Sequence, residues 1–405
     1  MELLKKGYEP KKEVVASFYV EPASGIKFSE ALESIAKESS IGTWTSLRTM
    51  TKQAKKLAPK IFYWSEKKHL AKIAYPQALF EKGNIVQILS SLGGNIYGMK
   101  DVRNLRWFDV EMPETFCNTF KGPAFGIKGV RKHFKVKHRP LLGTIVKPKV
   151  GLTAKQHAKV AYNAWLGGCD IVKDDENLAD MGFNRFERRV KETLKMKERA
   201  ERLTGEVKAY MPNISAPADE MLKRAKLVKE LGGSYIMIDI IACGFSALQY
   251  IRNQDLGMII HAHRAGHATF TRNPKHGISM LVVAKLARLA GVDQLHIGTA
   301  VGKMHGSKEE VLPIHKALSE KMGKLKSVVS VCSGGLHPGH VPALLKIFGN
   351  NIIIQAGGGI HGHKLGTIAG ARAMKQAIEA CMQGVSLNEY AKTHKELAIA
   401  LKQWC

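Results

Sequence analysis

Apolar and polar positions follow two regimes along the chain, and the change falls near residue 140. From residue 141 onward, short apolar runs recur with longer amphipathic stretches between them. The runs predict strands at 142–146, 170–173, 207–211, 235–240, 258–263, 294–297, 328–332 and 352–355. Helical periodicity fills the intervals, for example at 154–166, 186–203, 218–231, 280–290 and 308–322. Strands that are apolar on both faces and alternate with helices pair in parallel through right-handed crossovers. Eight such units predict a closed (β/α)8 TIM barrel. Upstream the pattern is mixed. It predicts a strand at 14–20, a helix capped by Ser29 and running to Glu38, strands at 61–64 and 70–74, and a short helix after Pro76. Further alternation at 84–89 and 95–97 completes an α+β region, and a loop rich in proline, glycine and basic residues covers 113–139. The expected fold class is therefore α/β. An α+β N-terminal domain (1–130) precedes the barrel (131–383), and a helical tail occupies 384–405.

Composition narrows the class. The chain has 405 residues, enough for a large core and two domains, and 45% of them are hydrophobic. No apolar run reaches the roughly 18–20 residues needed to span a bilayer, and the N-terminus lacks a signal-peptide apolar region, so a cytoplasmic location is expected. Six cysteines lie far apart without any Cys-x-x-Cys pair, which predicts reduced, mostly buried thiols. Lys and Arg total 62 against 35 Asp and Glu, for a net charge of +27. Such a surface attracts polyanions. No nucleic-acid motif or aromatic stacking signature accompanies it, so a solvated cationic surface that steers an anionic substrate is the expectation, and nucleic-acid binding is not.

The candidate chemistry centres on Gly167-Gly168-Cys169-Asp170-Ile171-Val172-Lys173-Asp174-Asp175-Glu176-Asn177. A Gly-Gly turn leads into a short strand that ends in a lysine and three acids. Strand alternation sends Lys173 and Asp175 to one face, with Glu176 just beyond. Two carboxylates there suit a hard divalent cation held by oxygen ligands. An ammonium would repel that cation, whereas a lysine that had reacted with CO2 would be a carbamate anion and a third oxygen ligand. The competing explanation is an exposed salt-bridge cluster. Barrels place their chemistry at the C-terminal ends of the strands, and there the sequence puts Lys147 and Lys149, then Lys173 to Glu176, then Asn213, His261 to Arg264, His296 with the loop Gly298 to Lys303, Ser333 to Gly335, and Gly357 to Gly359. Polar or glycine-rich segments at one end of seven strands argue against a mere salt-bridge surface. The glycine runs after the last two strands can offer backbone N–H groups to a phosphate, and Arg264 and His296 can bind a second. Lys303 sits in a glycine-bounded loop of the kind that closes over a site. Together these residues describe a site for a small molecule with a phosphate at each end and a metal between. Magnesium there would stabilise an enediolate, and the carbamate oxygen or a histidine could remove the proton next to the carbonyl.

These residues carry a resemblance to a known family. Nearly the whole chain, from Tyr19-Val20-Glu21-Pro22 to the last helix, is similar to the large subunit of ribulose-1,5-bisphosphate carboxylase/oxygenase (RuBisCO). The motifs are Glu38-Ser39-Ser40-Ile41-Gly42-Thr43-Trp44-Thr45, Gly143-Thr144-Ile145-Val146-Lys147-Pro148-Lys149, Lys173-Asp174-Asp175-Glu176, His263-Arg264-Ala265-Gly266-His267, Gly302-Lys303 and Ser333-Gly334-Gly335. The compact length and the Ile-Gly-Thr-Trp-Thr and Ile-Val-Lys-Pro-Lys wording resemble the archaeal form III group most.

The resemblance implies carboxylation of ribulose 1,5-bisphosphate with CO2 and water to two molecules of 3-phosphoglycerate, with O2 as a competing substrate, in a route of AMP and nucleotide salvage. It implies that Lys173 becomes N6-carboxylysine and that Lys173, Asp175 and Glu176 hold Mg2+. Lys147 would handle protons at the reacting carbons, with Lys149 in support, and His263 would assist proton transfer. Lys303 would steady the incoming CO2 and the new carboxylate. Thr43, Trp44, Gly335, Gly357 and Gly358 would bind one phosphate, Arg264 and His296 the other, and Ser333 a substrate hydroxyl. Positions matching Glu38 and Asn95 reach the site of the neighbouring subunit in the family. That implies a homodimer or a ring of homodimers, with no small subunit and no membrane. Three positions depart from the family's wording: Met304-His305-Gly306 stands for Leu-Glu-Gly, Lys364 for a proline, and Gly266 for a methionine. Two other functions compete. One is a RuBisCO-like enolase or isomerase acting on a related phosphorylated sugar. The other is a basic barrel that binds nucleic acid or a partner.

Overall fold

The apolar runs of the second regime close into a ring of parallel strands. The computed structural model describes residues 3–43, 45–301 and 308–405. Among them are thirteen strands: β1 (Val14–Pro22), β2 (Lys60–Ser65), β3 (Leu70–Tyr75), β4 (Val102–Glu111), β5 (Leu141–Ile145), β6 (Ile171–Lys173), β7 (Ala209–Met211), β8 (Tyr235–Asp239), β9 (Ile259–His263), β10 (Gly277–Ile278), β11 (Gln294–Gly298), β12 (Val329–Ser333) and β13 (Ile352–Gln355). They form a five-stranded sheet and an eight-stranded one. The chain divides into two compact units, one of residues 1–122, 266–290 and 321–325, the other of 123–265, 291–320 and 326–405.

In the first unit the sheet runs β10-β4-β1-β3-β2, antiparallel except for the β10–β4 pair. The helix Phe28–Glu38 buries Ala31, Leu32 and Ile35. Its cap differs from the expectation: Ser29 lies inside the first turn, and the Glu30 carboxylate accepts the Lys27 N–H at 3.2 Å instead. Strand β4 carried no clear signal in the sequence. Its buried residues, Val102, Leu105, Trp107 and Val110, are spaced unevenly. Two register shifts against β1, at Ser17/Phe18 and Glu21/Pro22, explain why strict alternation fails.

In the second unit the ring order is β5-β6-β7-β8-β9-β11-β12-β13, with β13 pairing back onto β5. Closure between β7 and β8 is made just past the end of β7, where Met237 N–H donates to Pro212 O (2.9 Å) and Ile214 N–H to Met237 O (3.0 Å). All eight strands fall within two residues of their expected positions. The stretch 113–139, expected as loop, contains the helix Gly126–Phe134. That helix packs Val130 and Phe134 against Leu141, Ile171, Ala209, Tyr235, Ile259, Val329 and Ile353 at the starts of the strands, and so plugs the N-terminal end of the barrel. Its Lys128 and Lys132 point to solvent. Two carboxylates pin the same end. Asp170 takes a bidentate pair from Arg139 (2.7 Å each), and Asp293 accepts from Arg252 (2.5 Å) and from the Ile260 N–H (3.0 Å). The tail expected to be helical holds the helices Leu387–Ala391 and Lys395–Trp404. The cysteines are free; Cys117, Cys169 and Cys332 are buried. No described helix is long and apolar enough to cross a membrane.

Candidate active site

The open, C-terminal end of the barrel gathers most of the residues singled out in its strands. β6 ends on Lys173, whose side chain is 1% exposed. Its Nζ donates to Asp174 O at 2.9 Å and lies 3.4 Å from Met237 Sδ and 3.5 Å from Glu176 Oε2. Burial lowers its pKa, and although Glu176 and Asp175 favour the ammonium, the net direction is downward. This position is not an exposed salt bridge.

Alternation past the strand end separates the three acids. Asp175 turns into the mouth, where its Oδ2 accepts from Lys147 Nζ at 2.7 Å and its Oδ1 from Asn177 at 3.0 Å. Burial alone would raise its pKa, yet the Lys147 ammonium holds it below the usual carboxylate range. Glu176 is likewise held low, by Lys173 and His263, against the opposing effect of burial. Asp174 points the other way, between the barrel and its helices. There Tyr210 donates to it at 2.6 Å, Arg189 Nε at 3.0 Å and the Asn213 N–H at 3.0 Å, and His157 Nε2 lies 3.1 Å away. Asn213 secures the segment after β6 by donating to the carbonyls of Glu176 and Leu178.

His263 at the end of β9 stands between two carboxylates, with Nε2 3.6 Å from Glu176 and Nδ1 3.5 Å from Asp239. Asp239 was missed in the sequence. It ends β8, and the rule that chemistry sits at strand ends points to it. Arg264 follows on the same loop. Its Nη2 would sit 3.2 Å from a Cβ placed on Gly298, whose φ is +93°. Burial lowers the guanidinium pKa to about 10, which leaves it charged at neutral pH. It has no ion pair or hydrogen bond among the described residues, which suits a site for an anion. Ser333 Oγ lies 2.6 Å from His296 Nδ1.

The glycines after β12 and β13 divide by role. Gly334 and Gly335 have φ of +125° and +70°. A Cβ on Gly359 would meet Leu336 O at 2.1 Å, so that glycine lets the two loops touch. Gly358 faces open space, and Gly357 lies beside the Lys147 stem. Lys149 is exposed and joins no bond in this cluster among the described residues. Glu38 and Asn95 belong to the first unit, where Asn95 Nδ2 donates to Glu38 Oε1 at 3.3 Å; Thr43 lies there too. Trp44 and Lys303, with Met304, His305 and Gly306, lie outside the described residues.

Among the described residues no three His, Cys, Asp or Glu side chains are grouped to hold a metal ion. Asp175 and Glu176 supply two carboxylates, and Lys173 Nζ is the nearby group able to become a third oxygen ligand by acquiring a carboxylate. The residues therefore fit a hard cation once Lys173 is carboxylated, and fit one poorly before.

Comparison with known proteins bears on this geometry. Residues 126–404 match the model of the ribulose bisphosphate carboxylase large chain, catalytic domain, and residues 2–116 that of its N-terminal domain. The ribulose bisphosphate carboxylase of Methanosarcina barkeri is 51% identical over 98% of this chain and 97% of its own length. That of Pyrococcus furiosus is 51% identical, covering 98% and 96%. The crystal structure of octameric ribulose-1,5-bisphosphate carboxylase/oxygenase from Pyrococcus horikoshii superposes with a TM-score of 0.96 at 48% identity, over 99% of this chain and 96% of that one. Dimeric archaeal Rubisco from Hyperthermus butylicus gives 0.94 at 45%, over 99% and 98%. With both domain models matched and half of all residues identical along nearly the full length, this chain belongs to the ribulose bisphosphate carboxylase large chain family.

Proposed function

We propose that this chain carboxylates ribulose 1,5-bisphosphate, with CO2 and water giving two molecules of 3-phosphoglycerate and O2 competing. The observation that carries the reading is the buried Lys173 enclosed by Asp174 O, Glu176 and Met237, with Asp175 held by Lys147 at the same strand end. A lysine whose ammonium is disfavoured by burial is a nucleophile toward CO2. Its amine adds to the carbon and releases a proton, leaving a carbamate beside Glu176. Lys173 so modified, Asp175 and Glu176 would hold Mg2+, which when bound supplies positive charge that polarises substrate oxygens and stabilises an enediolate. Lys147, anchored on Asp175, handles protons at the reacting carbons, with Lys149 in support. His263, steered by Glu176 and Asp239, assists proton transfer. Gly335, Gly357 and Gly358, with Thr43 and Trp44, take one phosphate. Arg264 and His296 take the other, Arg264 supplying the charge, and Ser333 meets a substrate hydroxyl. Lys303 steadies the incoming CO2 and the new carboxylate. The surplus of 62 basic over 35 acidic residues speeds arrival of the bisphosphate.

The biological setting proposed is that of a form III enzyme of the cytoplasm in AMP salvage, without a small subunit. It works as a homodimer or ring of homodimers in which Glu38 and Asn95 complete the neighbouring subunit's site. The octameric and dimeric archaeal relatives support a homo-oligomer. Carbon from AMP ribose should reach 3-phosphoglycerate in extracts only when this protein is present.

The central test is incorporation of labelled CO2 into acid-stable 3-phosphoglycerate after anaerobic preincubation with bicarbonate and Mg2+. Product should depend on both. A folded sample giving none would overturn the carboxylase reading. Activation should quicken as pH rises, because only the deprotonated Lys173 amine adds CO2. It should level off at a lower pH than a free lysine would, since burial lowers its pKa. Arg264→Ala should raise the KM for the bisphosphate about ten- to a hundredfold, as expected for loss of a charged hydrogen-bond donor to phosphate. An unchanged KM would remove Arg264 from the phosphate subsite.

A further inference from the structure

Behind the glycine run that follows β13, three side chains form a short hydrogen-bonded file. Thr144 stands on β5, His361 closes the helix Gly358–His361, and Thr367 lies in the first turn of the helix Gly366–Met382. The buried Thr144 hydroxyl donates to Ala356 O at 2.7 Å, and its Oγ1 lies 3.0 Å from His361 Nε2. His361 Nδ1 lies 3.1 Å from Thr367 Oγ1. Ala356 and His361 flank the segment Gly357-Gly358-Gly359-Ile360. The file therefore grips that segment at both ends and fastens it to β5. Backbone bonds add to the grip: Ala356 N–H donates to Gly143 O, and His361 N–H to Gly357 O, at 3.0 Å each.

The glycines need such a fastening. Glycine loses more conformational freedom on ordering than any other residue. Gly358 faces open space, and a Cβ on Gly357 would meet only the Lys147 stem and Ile145. Neither has a side chain of its own to pack, so the order of their N–H groups comes from neighbours.

The protons of the file run one way. A carbonyl only accepts, and a hydroxyl has one proton. Thr144 spends its proton on Ala356 O, so it shows His361 lone pairs alone, and His361 Nε2 carries a hydrogen. Burial pushes the imidazole pKa down to about 4; a hydrogen bond with the Ile145 backbone opposes that effect and the Lys147 ammonium adds to it. The ring is neutral at pH 7, and its Nδ1 lone pair accepts the Thr367 hydroxyl proton. The order follows from Thr144 and Ala356 alone, so it is the same whether or not Lys173 is carboxylated.

We propose that His361 is a positioning residue: bonded to Thr144 and Thr367, it holds Gly357 and Gly358 in the conformation that presents their N–H groups to a substrate phosphate. This rests on the reading of that glycine run as a phosphate subsite. A single imidazole joins a strand to a helix through its two nitrogens, which an aliphatic side chain of the same size fills but does not connect. His361 itself touches no substrate. Its signature is therefore phosphate affinity, not the rate of the chemical step.

Inorganic phosphate is the probe, titrated by calorimetry into protein carrying Arg264→Ala, so that the glycine run is the subsite under test. His361→Leu in that background should weaken phosphate binding about three- to tenfold, the scale of one hydrogen bond. His361→Gln, whose amide nitrogen can stand where Nε2 does, should restore binding to within about twofold. Thr144→Val should weaken it as much as His361→Leu does, and the two together no more than either alone, because they act in series. With Arg264 intact, His361→Leu should raise the KM for the bisphosphate by the same factor and leave kcat within about twofold. Nitrogen-15 resonances of histidine-labelled protein should show His361 protonated at Nε2, its signal identified by its absence from the His361→Gln variant; protonation at Nδ1 would overturn the inference. Phosphate bound equally tightly with and without the His361 or Thr144 side chain would overturn it too, even where melting is lowered, since that marks a merely structural role. No phosphate binding by the Arg264→Ala protein with His361 intact would instead overturn the phosphate subsite, and the inference with it.

Discussion

Lys173→Ala should abolish carboxylation and leave the barrel folded. The amine is the one group at this strand end that CO2 can convert into an oxygen ligand, and alanine removes it together with the interactions at 2.9 to 3.5 Å that fix its place. Asp175 and Glu176 alone are a poor donor set for a hard cation that prefers at least six oxygens. Turnover should fall by roughly 10^3-fold or more, the scale for losing a charge-stabilising element of a reaction site. Truncating a buried lysine stem leaves a small cavity, with a loss of about 2–3 kcal/mol. Total stabilities of about 5–15 kcal/mol absorb that. Labelled-CO2 fixation and thermal melting, read on one sample, separate the two effects. A folded variant that still fixed CO2 at the wild-type rate would remove Lys173 from the mechanism.

Asp174→Asn should produce the largest loss of stability of any single change near the site. Asp174 is fully buried, and three side chains besides the Asn213 N–H converge on it. Arg189, itself 0% exposed, has no other carboxylate among the described residues. An amide at position 174 strands that guanidinium in the interior, at a loss of about 3–5 kcal/mol. Urea denaturation would measure it, and a change below about 1 kcal/mol would refute the assignment. The same anchor sets a pH dependence. Burial would raise the Asp174 pKa, but Arg189, then His157 and Tyr210, pull it far below the ordinary 3.8. The stability it contributes is complete above that ordinary value, where the unfolded carboxyl is also ionised. It is lost as pH falls toward the depressed folded value. The wild-type protein should therefore lose more stability than the Asp174→Asn variant on acidification below about pH 4.

The sequence made the barrel legible because strands covered on both faces are written as short apolar runs, and each of the eight proved close to its expected place. β4 was illegible for the converse reason, since bulges against β1 disturb its period and polar residues such as Arg103 and Asn104 interrupt it. The helix Gly126–Phe134 hid among glycines and basic residues, although Val130 and Phe134 are spaced for one face. At the site, strand-end polarity located Lys147, Lys173, Asp175, Glu176, His263, Arg264 and Ser333. Strand alternation also set Asp174, which faces the helices, apart from Lys173 and Asp175, which face the mouth. Asp239 was passed over as a single acid within an apolar run although it stands at a strand end. Only the register of β8 against β9 brings it beside His263.

The plug formed by Val130 and Phe134 makes the barrel a vessel with one opening. Charged solutes have no rear passage through that packed floor, so traffic at the strand ends is single-door. On the proposed reading, the CO2 that would modify Lys173, the cation and the sugar bisphosphate would all enter through the same doorway, and the two product molecules would leave by it. On the same reading, a bisphosphate seated before Lys173 was carboxylated would stand in the way of its own activator and would act as an inhibitor of the unmodified protein.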